Sequence, residues 1–134
     1  MTERVTRSAA ETEALGEELA ARLAPGDLLL LAGGLGTGKT TFVRGLARGL
    51  GATATVQSPT FTLVRVYPGR VQLAHVDLYR LEKSAELTDL GLEELLEQGV
   101  VAVEWGDRLV VDGNRSIRVG FEHRSENERV VSLP

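Results

Sequence analysis

The chain has 134 residues, 43% of them hydrophobic, with no cysteine and a formal net charge of −4 from 15 basic and 19 acidic residues. This length predicts a single domain over 1–134, and the acidic balance argues against DNA or a large RNA surface as a direct partner. No apolar run approaches the roughly 20 residues needed to cross a bilayer, and the polar start lacks a signal-peptide core, so we expect a cytoplasmic protein without membrane contact.

The first predicted element is an amphipathic helix. Ser8 and Glu11 have the spacing of a capping box, in which the two side chains cap the first turn of a helix. Leu15, Leu19 and Leu23 then recur every four residues, which gives the helix one apolar face. We expect this helix to lead into the first core strand.

A phosphate-binding loop follows that strand. The strand is predicted at Asp27–Ala32, a short apolar run typical of a strand buried on both faces of a sheet. Gly33–Thr40 reads G-G-L-G-T-G-K-T and matches the phosphate loop G-x-x-x-x-G-K-S/T at every fixed position. The next segment has helical spacing of apolar residues and closes at Gly49 and Gly51, where a left-handed cap would fit. This context predicts a nucleotide-binding protein.

Each part of the loop has an expected chemical role. Its glycines allow successive N–H groups to point into one concavity, and the helix that begins near Lys39 favours anions at its N-terminus. We expect Lys39 to reach the β and γ phosphates and the Thr40 hydroxyl to bind the Mg²⁺ that bridges them. The predicted nucleotide-binding residues are Gly33, Leu35, Gly36, Thr37, Gly38, Lys39, Thr40 and Thr41.

The second half of the chain is predicted to complete a sheet. Alternating runs at Phe61–Tyr67 and Val71–Asp77, joined by a Pro-Gly turn, predict a β-hairpin. The later predicted elements are a helix at Leu87–Leu96, a buried strand at Val100–Trp105 and a closing pair at Ser116–Glu122 and Arg129–Leu133. Because a hairpin inside a phosphate-loop sheet cannot be all parallel, we predict a three-layer α/β domain, P-loop NTPase-like, with a mixed parallel and antiparallel sheet.

Two acids are candidates for the metal site. Asp77 and Glu104 each end a predicted strand, at the sheet edge where ligands bind in open α/β folds. We predict that both are catalytic together with Lys39, and that they hold Mg²⁺ together with Thr40. We assign Asp77 to ordering the metal, directly or through water, and Glu104 to binding the metal or polarising the attacking water, two roles that the pattern does not separate. His75 alternates with Asp77 and points the same way, for either a structural hydrogen bond or a catalytic one.

Several segments carry a family resemblance that covers nearly the whole chain. After L-G-T-G-K-T-T-F come S-P-T-F-T-L-V (Ser58–Val64), H-V-D-L-Y-R-L (His75–Leu81), E-L-T-D-L-G-L-E-E-L (Glu86–Leu95) and V-E-W (Val103–Trp105). In this order they resemble the bacterial TsaE family, also called YjeE. The resemblance implies a small ATPase required for threonylcarbamoyladenosine (t6A) at adenosine 37 of tRNA. It also implies that TsaB and TsaD are partners, that TsaD performs the transfer, and that ATP hydrolysis resets or remodels the complex, with tRNA contacted through the complex.

The resemblance extends to individual residues. Lys39 and Thr40 match the family's phosphate and magnesium contacts, and Asp77 and Glu104 match its acidic pair. The switch-like positions are Ser58, Thr60 and Thr62, where a threonine hydroxyl is expected to sense the γ phosphate or its Mg²⁺. The chain departs from the family pattern at Gly34, where Asp is usual, at Thr37, where Ala is common, and at Gly106, where Pro is frequent.

Three other functions fit a phosphate loop. A GTPase needs a base-discriminating string such as N-K-x-D, which the chain lacks, so ATP is favoured. A small-molecule kinase needs an acceptor pocket and an Arg-bearing lid, for which little chain remains. A scaffold that binds ATP without hydrolysing it stays open. We expect slow turnover without partners, because the sequence identifies no arginine finger beyond the weak candidate Arg80. The candidates for contact with the adenine base are Arg7, Ser8 and the last hairpin.

Overall fold

The computed structural model describes residues 2–34, 37–53, 64–77, 91–104 and 116–134. In chain order the elements are β1 (Thr2–Thr6), α1 (Ala9–Ala20), β2 (Leu28–Ala32), α2 (Lys39–Gly49), β3 (Val64–Tyr67), β4 (Gln72–Asp77), α3 (Leu92–Gln98), β5 (Gly99–Glu104), β6 (Ser116–His123) and β7 (Arg129–Leu133). Within these residues seven strands form one sheet in the order β1-β7-β6-β2-β5-β4-β3.

Strand β2 lies at the centre of the sheet with a parallel neighbour on each side. Leu31 pairs with Val119 of β6 and with Glu104 of β5. The pairs β3–β4, β6–β7 and β1–β7 are antiparallel, so the sheet is mixed as predicted. An all-apolar strand suits this position because neither of its faces meets water.

Helices cover both faces of the sheet. Leu29 and Leu31 belong to the cluster packed under α1 and α2, which also contains Phe42. Leu28 and Leu30 point the other way, into a second cluster against which the leucines of α3 pack. The alternation of side chains along one strand therefore supplies two cores, and the three-layer α/β prediction is confirmed.

The first helix begins as predicted and ends earlier. Ser8 is its N-cap, and the Ser8 Oγ accepts a hydrogen bond from the Glu11 N–H at 3.1 Å. The Glu11 carboxylate accepts from the Arg7 N–H at 3.3 Å, one residue before the N–H that the capping box would use. The helix stops at Ala20, so Leu23 packs on the core from the loop that follows.

The two helices on the phosphate-loop side lie unusually close. A Cβ added to Gly45 of α2 would lie 1.9 Å from the Glu13 carbonyl oxygen, and one added to Gly16 of α1 would lie 2.3 Å from the Phe42 carbonyl oxygen. Gly49, expected at the helix cap, instead lies in the last turn of α2, where an added Cβ would meet the Ala20 side chain at 2.5 Å. Glycines therefore let the helix of the phosphate loop dock on α1 at backbone distance.

Other boundaries differ from the predictions in small ways. Gly51 has the expected positive φ, at 87°. The third helix starts at Leu92 and ends two residues beyond the predicted Leu96, while 87–90 lie outside the described residues. Strand β1 was not predicted at all. In the part of the chain that the structure describes, no helix is long and apolar enough to cross a membrane.

Candidate nucleotide site

The phosphate loop leaves the carboxyl end of β2, the usual ligand edge of an open α/β sheet. Gly33 has φ 155° and Gly38, the N-cap of α2, has φ 100°, a region that favours glycine. A Cβ at Gly33 would lie 2.6 Å from the Phe121 carbonyl oxygen, whereas one at Gly34 would meet nothing within 4 Å. The glycine requirement is therefore strict at Gly33, and the departure at Gly34 is sterically neutral.

Two side chains donate hydrogen bonds to backbone carbonyls of the phosphate loop. Lys39, the first residue of α2, is only 5% exposed, and its Nζ donates to the Gly33 carbonyl oxygen at 2.7 Å. The Thr37 hydroxyl donates to the Gly34 carbonyl oxygen, also at 2.7 Å. A buried ammonium beside N–H groups at a helix N-terminus is chemically suited to phosphate oxygens. Thr37, which replaces the alanine common in the resembled family, adds a tie to the loop.

One of the two predicted acids reaches the phosphate-loop helix. Glu104, at the end of β5, is 5% exposed. The Thr40 hydroxyl lies 3.3 Å from its Oε2 and 3.5 Å from its Oε1, and donates to the carboxylate. The Nε2 of His75, a side chain with no exposed surface, hydrogen-bonds the same Oε2. The structure thus brings together three residues that lie far apart in the sequence.

The second acid lies beside the first. Asp77, at the end of β4, pairs in register with Glu104. Leu73 on β4 and Ala102 on β5 belong to the core cluster under α2. Because side chains alternate along a strand, Asp77 and Glu104 point to the same face of the sheet as these two residues. Asp77 is partly exposed, unlike Glu104. The structure therefore keeps both acids as candidates and distinguishes them by burial.

These residues fit a magnesium ion. A hydroxyl oxygen and a carboxylate converge at the N-terminus of α2, and oxygen atoms are the ligands Mg²⁺ prefers. The Glu104 carboxylate is buried beside a hydroxyl and an imidazole, so a bound cation would neutralise its negative charge. Among the described residues no group of three or more His, Cys, Asp and Glu side chains is placed to hold a metal ion. A Mg²⁺ site needs few protein ligands, because phosphates and water supply the others.

The start of α1 lies close to the loop and to the last hairpin. Arg7 Nε is 3.6 Å from Glu128 Oε2, between β6 and β7, so the two segments suggested for the adenine side are neighbours. Thr12 was missed by sequence reasoning: a Cβ at Gly38 would lie 3.6 Å from its Cγ2, and its hydroxyl pairs with that of Thr6 at 2.8 Å. A polar residue on the apolar face of α1 was the available signal.

The remaining predicted site residues fall into two groups, one within the described residues and one outside them. Thr41 lies in the first turn of α2 and is partly exposed. The predicted or compared positions that lie outside the described residues are Leu35, Gly36, Ser58, Thr60, Thr62, Arg80 and Gly106.

Comparisons with known proteins find similar chains over most of this sequence. The family model described as "Threonylcarbamoyl adenosine biosynthesis protein TsaE" matches residues 6–131. Relatives named tRNA threonylcarbamoyladenosine biosynthesis protein TsaE include one from Bacillus subtilis, 50% identical over 92% of this chain and 78% of its own length. Another, from Treponema pallidum, is 40% identical over 86% of this chain and 97% of its own length. The crystal structure of Bacillus subtilis YdiB superposes with a TM-score of 0.80 at 35% identity, covering 98% of this chain and 83% of that one.

The mixed α/β sheet with a glycine-rich loop between its central strand and α2 defines a P-loop domain. The match of the family model over almost the whole chain makes the assignment more specific. The chain belongs to the TsaE family.

Proposed function

We propose that this chain is a Mg²⁺-dependent ATPase that serves t6A modification of tRNA. The family and the names of its relatives support the pathway. The observation that carries the hydrolytic part is the contact of Thr40 with Glu104 directly beside the phosphate loop. It joins a hydroxyl and a buried acid from distant parts of the chain at the place where P-loop enzymes hold their metal.

Each residue of the site has a separate role in hydrolysis. Lys39 exchanges its hydrogen bond to the Gly33 carbonyl for oxygens of the β and γ phosphates, whose negative charge it offsets. Thr40 and Glu104 would hold the metal, which would neutralise negative charge on the phosphates. The more exposed Asp77, in register with Glu104, orients water for attack on the γ phosphorus. Water adds to phosphorus as the bond to the β-γ bridging oxygen breaks, which yields ADP and phosphate.

The proposed role in the cell is to reset or remodel a complex with TsaB and TsaD between rounds of modification. The names of the relatives support participation in t6A synthesis. The net charge of −4 favours tRNA contact through those partners, since direct RNA binding depends on basic surface. A nucleotide-dependent scaffold that does not hydrolyse ATP is the second candidate, and phosphate release distinguishes the two.

Phosphate release tests this proposal. We expect MgATP turnover by the chain to be slow alone and to rise with TsaB, TsaD and tRNA, and Glu104→Ala to lower it by a factor on the order of 10². Glu97→Ala, on the exposed face of α3, is the matched control and should turn over like the wild type. Product analysis separates phosphate, expected here, from a phosphorylated metabolite. Tight ATP binding without phosphate release in any mixture would leave the scaffold instead.

A further inference from the structure

His75 occupies a place in the sheet where an apolar residue would be expected. It lies on β4 between Leu73 and Asp77 on the face covered by α2, and its side chain is completely buried. Its Nε2 is hydrogen-bonded to Glu104 Oε2. Because a carboxylate oxygen only accepts, the proton lies on Nε2 and the imidazole is the donor.

An imidazole is a less favourable side chain than an apolar one at this packed position. Its Nδ1 is buried and has no hydrogen-bond partner among the described residues. A buried polar atom without a partner costs stability, whereas a leucine here would extend the apolar row begun by Leu73. The histidine is therefore better explained by what it does to Glu104 than by packing.

The carboxylate of Glu104 lies between two hydrogen-bond donors. A glutamate side chain has several rotatable bonds, and the strand end alone does not fix where its carboxylate points. The bond from His75 holds Oε2, and the same carboxylate then presents both oxygens to Thr40 at 3.3 and 3.5 Å. Partners of this kind orient metal-binding carboxylates in many proteins.

We propose that His75 is a positioning residue, whose Nε2–H holds the Glu104 carboxylate against Thr40 so that the metal side of the site is preformed. This inference rests on the proposed ATPase function. It requires that the effect of His75 passes through Glu104, and it leaves phosphate binding to Lys39 and the loop amides.

Two substitutions at His75 test the proposal by enzyme kinetics. His75→Leu should lower kcat for MgATP by about tenfold or more and leave the affinity for metal-free ATP within about twofold, because the phosphate contacts are intact. His75→Gln, whose amide Nε2–H can donate from a similar position, should restore most of the loss. A kcat unchanged in His75→Leu, or a His75→Gln variant no better than His75→Leu, would overturn the proposal.

A metal-binding measurement separates this inference from the proposed hydrolysis. Electron paramagnetic resonance gives the affinity of the ADP-bound protein for Mn²⁺, used as a paramagnetic substitute for Mg²⁺. His75→Leu should weaken it by about tenfold in the wild-type background and not at all in the Glu104→Ala background. Equal losses in both backgrounds would show a general structural role and contradict the proposal. If the wild type releases no phosphate at all, the ATPase function fails while this cycle still decides the role of His75.

Discussion

At the scale of single residues, the site keeps charges where a folded domain would be more stable without them. The carboxylate of Glu104 and the ammonium of Lys39 belong to side chains of residues that are each only 5% exposed. Removing a charge from water is costly unless its partners replace the lost hydration. Glu104 faces a hydroxyl and an imidazole, and Lys39 donates to a backbone carbonyl. Such a site is arranged to bind a charged ligand, and its buried charges lower the stability of the ligand-free protein.

Glu104→Gln should therefore stabilise the ligand-free protein while removing its activity. The amide keeps the shape and an acceptor oxygen for the Thr40 and His75 donors, but no charge is desolvated. We expect the Tm without metal to rise by about 3–5 °C, which corresponds to about 1 kcal/mol for a domain of this size. Circular dichroism in EDTA measures it, with exposed Glu97→Gln as the control. A lower Tm would mean that the carboxylate contributes net stability to the fold.

At the scale of elements, the phosphate-loop helix depends on its neighbour for position. Gly45 and Gly16 each place backbone of one helix against backbone of the other, so α2 cannot shift without α1. The ion pair of Arg48 with Glu13, at 2.9 Å, joins the same two helices at their exposed edge. Surface ion pairs of this kind contribute little, so the close backbone approach is the main determinant of the helix position.

Gly45→Ala should destabilise the domain, although alanine is the better helix former by about 1 kcal/mol. The new Cβ would lie 1.9 Å from the Glu13 carbonyl oxygen and 2.7 Å from its carbon, and backbone cannot yield as a flexible side chain does. We expect a loss of about 3 kcal/mol, measured by urea unfolding. Gly34→Ala is the matched control, since its Cβ meets nothing within 4 Å, and it should change stability by less than about 0.5 kcal/mol. Equal effects of the two substitutions would contradict the role assigned to close helix packing.

What the sequence predicted depended on how local each signal is. The central strand, the β3–β4 hairpin and the acids at Asp77 and Glu104 were predicted because alternation and turn residues are visible within a few positions. The role of Gly45 was not, because it depends on the Glu13 backbone of another helix. The link from His75 to Glu104 joins adjacent strands whose pairing the local pattern does not specify. Candidate site residues could be named from the sequence, whereas the contacts among them required the fold.

At the scale of the whole molecule, β1, the strand that the sequence did not predict, forms one edge of the sheet. β1 pairs antiparallel with β7 from Thr2↔Leu133 to Thr6↔Arg129. Only the last residue of β1 is buried, so the strand has no apolar run that local reasoning would detect. Its partner lies more than a hundred residues away in the sequence. At its end, the Thr6 hydroxyl bonds Thr12, which lies beside Gly38, so this edge also supports the phosphate loop.

Removal of residues 1–6 tests how far this edge strand holds the sheet. The deletion leaves β7 without its outer partner, so the amides of Arg129–Leu133 should exchange with deuterium faster, while β4 and β5 in the interior stay protected. Arg4→Ala is the control. It removes only the exposed ion pair of Arg4 with Glu18 at 3.4 Å and should leave exchange in β7 unchanged. Unaltered protection of β7 after the deletion would mean that β6 and the core beneath Val131 hold that strand alone, and that β1 contributes only an exposed edge.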